Sequence, residues 1–188
     1  MDSAIVLNAC EAFNRRAALK GWPVACDATL TFERAELSAA LACWREKAEG
    51  RLPARADFTA RALMPFLRNI AFADIVHRES GDLRFRIRLA GTALTPVYGE
   101  LTGTFADEQI PLPYRERWIA CLEEATRAKA PLRFTARVDF AGEDYLNTEL
   151  LVAPLAADGK TPDMLFAVIY FDLAGRHMPS SNSALTRA

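Results

Sequence analysis

The sequence predicts an α+β domain: a five-stranded antiparallel sheet with helices on one face and a helical extension at the N-terminus. Two observations lead to this fold class. Apolar residues recur with helical spacing in the first third of the chain and again between residues 114 and 125. Five other segments show the alternating or continuous apolar pattern of strands, and turn-forming clusters separate most of them. Helices that cover one face of an antiparallel sheet form a common layered architecture.

The N-terminal helical extension is predicted to span residues 1–50. Ile5, Ala9 and Phe13 have the spacing of a short helical stripe. The segment KGWPVACDATL at 20–30 is expected to be irregular, because a glycine and a proline interrupt it. A longer helix follows, with an apolar stripe at Leu37, Ala40, Leu41, Trp44 and Ala48 and with Gly50 after its end. This stripe must be buried, either on the second face of the sheet or against a partner chain.

The sheet domain is predicted to span residues 51–173. Thr59 is placed to cap a short helix, and a longer helix presents Tyr114, Trp118 and Leu122 on one face. Strands are predicted at residues 73–78, 83–90, 131–140, 145–155 and 164–172. The last strand, MLFAVIYFD, is apolar at almost every position, which is typical of a central strand covered on both faces. Residues 174–188 have the composition of a flexible C-terminal tail.

Charge and hydropathy argue against several function classes. The net charge is -1, from 23 basic and 24 acidic side chains, so a general electrostatic hold on nucleic acid or on an anionic membrane is not expected. No stretch approaches the roughly 18 apolar residues of a membrane span. The first residues lack a basic leader, and their apolar run is broken by Asn8 and Glu11. We therefore expect a cytoplasmic protein.

The residues that could carry chemistry form no catalytic or metal-binding motif. The four cysteines, Cys10, Cys26, Cys43 and Cys121, are far apart and contain no CxxC pair, which argues against a zinc site or a disulfide framework. We expect them to be small buried apolar residues, with a redox-sensing role as the alternative. His77 shares strand parity with Ala73 and Ile75 and could face a pocket, although a single strand histidine is more often structural. No catalytic residues and no metal ligands are predicted.

The candidate ligand pocket is the space between the sheet and the helices that cover it. Its predicted lining combines aromatic and aliphatic residues from the strands and helices around this space: Phe85, Ile87, Leu89, Tyr98, Tyr114, Trp118, Leu122, Phe134, Ala136 and Val138. A filled core and a pocket for an apolar or flat ligand both fit these residues. Arg84, Arg86 and Arg88 alternate with Phe85, Ile87 and Leu89. We expect these arginines on the opposite face with Arg133, Arg137, Asp139 and Glu149, paired as charges or docking the N-terminal helix.

Several of these segments resemble the PAS (Per-Arnt-Sim) sensor family, in particular a bacterial subfamily of stand-alone PAS proteins. The resemblance covers residues 37–172 and rests on Trp44, on LPAR at 52–55 followed by Asp57, on LRFRIRLAGTAL at 83–94 and on YGELTG at 98–103. It implies a regulatory module that binds a small molecule or another protein, often as a dimer joined through the N-terminal helix. It supplies no catalytic residues. Gly91 and Gly103 match positions where the chain must turn.

The function expected from this resemblance is a non-enzymatic sensory module. Its partners would be an unknown small molecule and a signalling protein, with a kinase as the candidate, and the chain would form a homodimer. The cofactor is unknown: no haem or flavin motif is evident, and the cysteine motif of the flavin photoreceptors does not appear. Two alternatives remain. One is a small ligand-binding enzyme with His77 or Tyr98 as acid–base residue, and the other is a purely structural adaptor with a filled core.

Overall fold

The computed structural model describes residues 3–140 and 144–173. The predicted tail at 174–188 lies outside these residues. In chain order the elements are α1 (Ser3–Lys20), β1 (Val24–Asp27), α2 (Ala35–Ala48), α3 (Ala60–Leu63), β2 (Ile70–His77), β3 (Leu83–Ala90), α4 (Thr95–Tyr98), α5 (Ala106–Gln109), α6 (Leu112–Ala128), β4 (Leu132–Phe140), β5 (Asp144–Leu155) and β6 (Met164–Leu173). Short 3-10 turns at Arg55–Asp57 and Met64–Phe66 precede and follow α3. Among the described helices, none is long and apolar enough to cross a membrane.

The sheet has six strands in the order β1-β4-β5-β6-β2-β3, and every neighbouring pair is antiparallel. The predicted count of five was wrong because β1 lies in the segment that we expected to be irregular. This strand has only four residues and begins directly after Pro23, so its own pattern is too short to be recognised. It forms because Val24 pairs with Ala136 and Cys26 with Phe134 of β4.

Helices cover both faces of the sheet: those that enclose the predicted pocket lie on one face, and α2 of the N-terminal extension lies on the other. On one face α1 and α6 pack on the sheet to form a first core, which includes Phe13, Trp118 and Phe134. On the other face α2 and the segment around α3 form a second core, which includes Trp44 and Phe166. The central strand β6 contributes alternate residues to the two cores, as its continuous apolar pattern predicted.

Helix α2 shows why the second face is covered by the chain itself. Its buried residues Leu37, Ala40, Leu41 and Trp44 are those of the predicted stripe. The Trp44 indole Nε1–H donates to the Pro154 carbonyl oxygen at 2.9 Å, which satisfies the one polar atom of a fully buried side chain. Of the two expected locations, the stripe therefore lies on the second face of the sheet.

A β-bulge in the β2–β3 hairpin changes which residues of β3 face the first core. Ala73 pairs with Ile87 and Phe72 pairs with Leu89, so Arg88 is the extra residue. The bulge reverses the alternation of inward and outward side chains beyond Ile87. Leu89 therefore lies on the same face of the sheet as Phe72 of the second core, and Leu89 is 38% exposed. Its predicted place beside Phe85 and Ile87 was therefore wrong.

The arginines of β3 and β4 form two separate charge clusters. Arg84 bonds Asp107 through Nε at 2.8 and 2.9 Å, bonds Glu108, and stacks on the Phe105 ring 3.7 Å from its centroid. Arg88 bonds Asp74 at 3.0 Å. The charge pairing that the sequence predicted is confirmed for these residues. Arg133 lies on the same face of the sheet as Arg84 and Arg86 but not beside them, because three strands, β5, β6 and β2, separate β4 from β3.

Candidate ligand-binding site

A cavity lies in the first core, between the sheet and a segment that we call the roof segment, residues 91–110, together with α6. Its volume is about 50 Å³. The roof segment and α6 contribute Leu94, Tyr98, Leu101, Ile110, Trp118 and Leu122, and the strands contribute Ala71, Ala73, Ile87, Leu150, Val152, Leu165, Ala167 and Ile169. The cavity exists because small side chains meet on the sheet. Ala71 and Ala167 are cross-strand partners, and Ala73 lies two residues along the same strand.

Two polar atoms on residues that line this apolar cavity make no hydrogen bond of normal geometry, although they lie near each other. They are the Tyr98 hydroxyl and the Trp118 indole Nε1–H, on side chains that are only 5% and 6% exposed. The two rings contact each other edge to face, with centroids 5.9 Å apart. Because buried polar groups are nearly always paired, each unpaired group costs about 1–3 kcal/mol of stability. An unpaired acceptor and two donors at one cavity are typical of a site that completes its bonding with a ligand.

Burial further favours the neutral form of the Tyr98 hydroxyl, which is neutral at physiological pH even at its ordinary pKa. It raises the pKa of Tyr98 well above its ordinary value of 10.0, against the opposing effects of the Arg117 charge and of the nearby Trp118 indole N–H. The phenol is therefore neutral at physiological pH and can donate or accept a hydrogen bond. The arrangement suits an uncharged ligand group, such as a carbonyl, that accepts a hydrogen bond.

The structure brings four of the ten predicted site residues to the cavity: Ile87, Tyr98, Trp118 and Leu122. Phe85, Phe134, Ala136 and Val138 are buried in the first core outside the cavity lining. Tyr114 is half-buried against the same core, with the Arg117 guanidinium 4.8 Å from its ring centroid. Leu89 lies on the other face, as described above. Whether any of these residues binds a ligand stays a prediction.

His77 does not face the cavity. It is the last residue of β2 and is exposed, so its shared parity with Ala73 and Ile75 does not place it in the first core. The sequence also missed most of the strand residues in the cavity lining. The parity of β5 and β6 could have identified Leu150, Ala167 and Ile169, because both strands were predicted with nearly their observed bounds.

The roof segment is fixed to the β2–β3 hairpin at two points. At its start, the Gly91 N–H donates to the Ile70 carbonyl at 2.8 Å, and a Cβ at Gly91 would lie 2.3 Å from the Leu67 carbonyl oxygen. Further along, Gly103 adopts a φ of +86° and its N–H donates to the Ile87 carbonyl at 2.7 Å. These two contacts hold the roof segment over the cavity.

A second recess, of about 480 Å³, is an open groove on the other side of the sheet, near β1, β4 and β5. It is lined by charged side chains that bond one another. Arg133 bonds Glu149 at 2.7 Å and Asp27 at 2.8 Å, and Arg34 bonds Asp172. Since these charges already satisfy each other, the smaller cavity in the first core is the stronger candidate for a ligand site.

Comparison with protein families matches residues 33–170 to the PAS domain family. This stretch is well over half of the chain, and the chain belongs to that family. The α+β architecture with its antiparallel sheet is the PAS-like class that the sequence predicted. PAS domains are sensory domains, so a general sensory role follows from the family.

Two solved structures are similar to the chain at low identity. One is the LOV protein of Rhodobacter sphaeroides, with 13% identity and a TM-score of 0.41 over 63% of this chain and 70% of that chain. The other is a variant of RsLOV, with 14% identity and a TM-score of 0.40 over 81% of this chain and 73% of that chain. We draw no argument from either likeness. Comparison with curated proteins gave no match.

Proposed function

We propose that this PAS domain is a non-enzymatic sensor that binds a small, largely apolar molecule with one hydrogen-bond acceptor in the first-core cavity. The observation that carries the proposal is the pair of unpaired polar atoms, Tyr98 Oη and Trp118 Nε1, on residues that line an apolar cavity. An acceptor atom on the ligand would bond one or both groups, and the apolar remainder would fill the space above Ala71 and Ala167.

The size of the cavity defines how the site would work. At about 50 Å³ it is smaller than the roughly 150 Å³ apolar cavity that holds benzene in an engineered protein. Ligand entry therefore requires the cavity to widen. The roof segment is the part that would move, because α4 and α5 have only four residues each and connect through loops. Binding would shift the protein toward the conformation with the raised roof segment.

The signal would leave the domain by association with another protein. Part of α1 supports this route, because Ile5, Leu7 and Leu19 are 52%, 50% and 90% exposed on a helix that packs its other face on the first core. We propose a homodimer or a signalling partner, with a kinase as the candidate, in the cytoplasm. The lining offers no carboxylate or histidine to act with Tyr98, which favours sensing over the alternative of an enzyme.

Substitutions that remove the two polar groups one at a time should have different effects on the stability of the free protein and on its affinity for a ligand. We expect Tyr98→Phe to stabilise the free protein by about 1 kcal/mol, since it removes a buried hydroxyl that lacks a partner. Trp118→Phe should weaken binding of acetophenone, a single ring with one carbonyl acceptor, by about 3- to 10-fold. Urea unfolding of the free protein and the shift in melting temperature with acetophenone measure the two effects.

The control ligand is ethylbenzene, which lacks the carbonyl, and the control variant is Tyr170→Phe, which changes a half-buried phenol at the second core. The wild-type protein should prefer acetophenone to ethylbenzene, and Trp118→Phe should lose that preference while Tyr170→Phe keeps it. If the protein purified from its source retains no small molecule in native mass spectrometry and neither ring compound changes its melting temperature, the structural adaptor with a filled core replaces the sensor.

A further inference from the structure

Two of the four cysteines, distant in sequence, meet in the structure. Cys10 on α1 and Cys26 on β1 have their sulfur atoms 2.7 Å apart, and the two residues are 3% and 6% exposed. Cys43 on α2 and Cys121 on α6 have no such close thiol contact among the described residues, although Cys121 lies in the same core as the pair and helps to raise the pKa of Cys26. This contact is not part of the ligand cavity.

We propose that Cys10 and Cys26 are a modification site: hydrogen peroxide oxidises them to a reversible disulfide that ties α1 to the edge of the sheet. The proposal is independent of the cavity and its ligand. It assigns the pair to redox chemistry, which the sequence left only as the alternative to buried apolar residues.

Asn14 holds the two thiols together. It follows Cys10 by four residues on the same face of α1, and its side-chain amide accepts from Cys26 N–H at 2.7 Å and donates to the Cys26 carbonyl at 2.9 Å. The side chain thus occupies the place of a neighbouring strand along the free edge of β1. Phe13 adds an apolar contact, with its ring centroid 5.0 Å from that of Phe134 on β4. One turn of α1 therefore fixes the backbone on both sides of the sulfur pair.

The two thiols differ in acidity in the way that a nucleophile and a resolving thiol differ. The hydrogen bond between the two sulfur atoms lowers the pKa of Cys10, against the opposing effects of burial and of Asp27 and Glu124. The same hydrogen bond and burial raise the pKa of Cys26. Because the thiolate is the reactive form, Cys10 reacts first.

The oxidation is balanced in two steps. The Cys10 thiolate attacks one oxygen of hydrogen peroxide, the O–O bond breaks, and Cys10 sulfenic acid and hydroxide form. The Cys26 sulfur then attacks the Cys10 sulfur, the S–O bond breaks, and the disulfide and water form as the thiol proton is lost. The two cysteines give up two electrons, which reduce one peroxide molecule to two waters. Because both thiols are buried, the small oxidant reaches them when the start of α1 opens locally.

A metal site is the other common use of paired cysteines. Within residues 3–140 and 144–173, no group of three or more histidine, cysteine, aspartate or glutamate side chains is placed to hold a metal ion. A zinc site needs four ligands when it is structural. The described surroundings of Cys10 and Cys26 therefore favour the disulfide.

The disulfide would change how firmly α1 is held. Val6, Ala9, Phe13 and Ala17 of this helix belong to the first core, and Arg16 pairs with Glu123 of α6 at 3.3 Å. In the reduced protein only non-covalent contacts, these and the Asn14 hydrogen bonds among them, hold α1. The cross-link closes the chain between residues 10 and 26 and restricts the opening of α1. Trypsin cleavage after Arg15, Arg16 and Lys20 reports this opening, since all three residues are exposed on α1.

The test treats the full chain with hydrogen peroxide, blocks free thiols under denaturing conditions and maps the peptides by mass spectrometry. We expect a Cys10–Cys26 disulfide, a mass lower by two hydrogen atoms, and reversal by dithiothreitol. Cleavage on α1 should be several-fold slower in the oxidised protein. Cys26→Ser should trap the sulfenic acid on Cys10 as a dimedone adduct, Cys10→Ser should abolish the reaction, and Cys43→Ser, on the other face of the sheet, should leave it unchanged.

Two results would overturn the proposal. In one, peroxide oxidises Cys43 while Cys10 and Cys26 remain thiols, which shows that the pair is inert. In the other, the disulfide forms but trypsin cleaves α1 as fast as before, which shows that it does not hold the helix. Circular dichroism of the variants with and without oxidant confirms that they are folded, so a lost disulfide cannot be assigned to unfolding.

Discussion

Gly91→Ala should leave little folded protein. A Cβ at this position would lie 2.3 Å from the Leu67 carbonyl oxygen and 2.4 Å from that of Arg68. Both obstacles are backbone atoms, and Arg68 also accepts the Ala93 N–H at 2.8 Å, so neither can move without breaking the contact between the roof segment and the chain before β2. We expect a loss of more than about 3 kcal/mol in the free energy of unfolding, measured by urea denaturation.

Gly103→Ala is the matched control for this substitution. Gly103 adopts a φ of +86°, but a Cβ there would meet no atom within 4 Å. The alanine would be strained only by its left-handed backbone, at a cost of about 1–2 kcal/mol. Gly91→Ala thus tests the close approach of two backbone segments, and Gly103→Ala tests the need for a positive φ. Equal losses at the two positions would contradict the close approach at Gly91.

Glu149→Ala should be the most damaging change to a charged residue of the sheet. The Glu149 carboxylate accepts from the backbone N–H groups of Glu33 and Arg34 at 3.0 and 3.1 Å, where α2 begins, and from Arg133 Nε at 2.7 Å. Its loss leaves two N–H groups unsatisfied and the largely buried Arg133 with Asp27 as its remaining close partner. We expect a loss of roughly 3 kcal/mol in urea denaturation.

The control for Glu149 is Glu116→Ala, which breaks an exposed ion pair with Lys20 at 3.7 Å. Exposed pairs contribute about 0–1 kcal/mol, so this variant should unfold close to the wild-type midpoint. A Glu149→Ala variant as stable as Glu116→Ala would show that the carboxylate neither holds the backbone before α2 nor compensates Arg133.

The parts of the fold that the sequence predicted are those with a strong local pattern. Strands β3 to β6 and the buried stripe of α2 have long alternating or helical periodicity, and their observed bounds agree with the prediction. The N-terminal stripe was predicted less well, because Val6 rather than Ile5 is buried beside Ala9 and Phe13. Strand β1 has four residues, and only its pairing with β4 defines it.

The parts that the sequence could not predict depend on contacts between distant residues. Leu89 changes face because a bulge opposite Phe72 reverses the alternation, which no pattern within β3 reveals. The cavity is made by Ala71 meeting Ala167 across two strands, so its position depends on register. Likewise, Cys10 and Cys26 meet because strand β1 lies beside helix α1. The sequence pattern did not reveal β1.

The central claim is that the first-core cavity is a ligand site bonded by Trp118. The chain has three tryptophans, which occupy different surroundings: Trp22 lies at the edge of the first core near Arg16, and Trp44 is bonded to Pro154 in the second core. Their indole N–H groups give three separate signals in a proton–nitrogen NMR spectrum. In a titration with acetophenone, we expect the chemical shift of the Trp118 indole N–H to change while the shifts of Trp22 and Trp44 remain constant. An unmoved Trp118 signal at saturating acetophenone, or equal movement of all three, would contradict the claim.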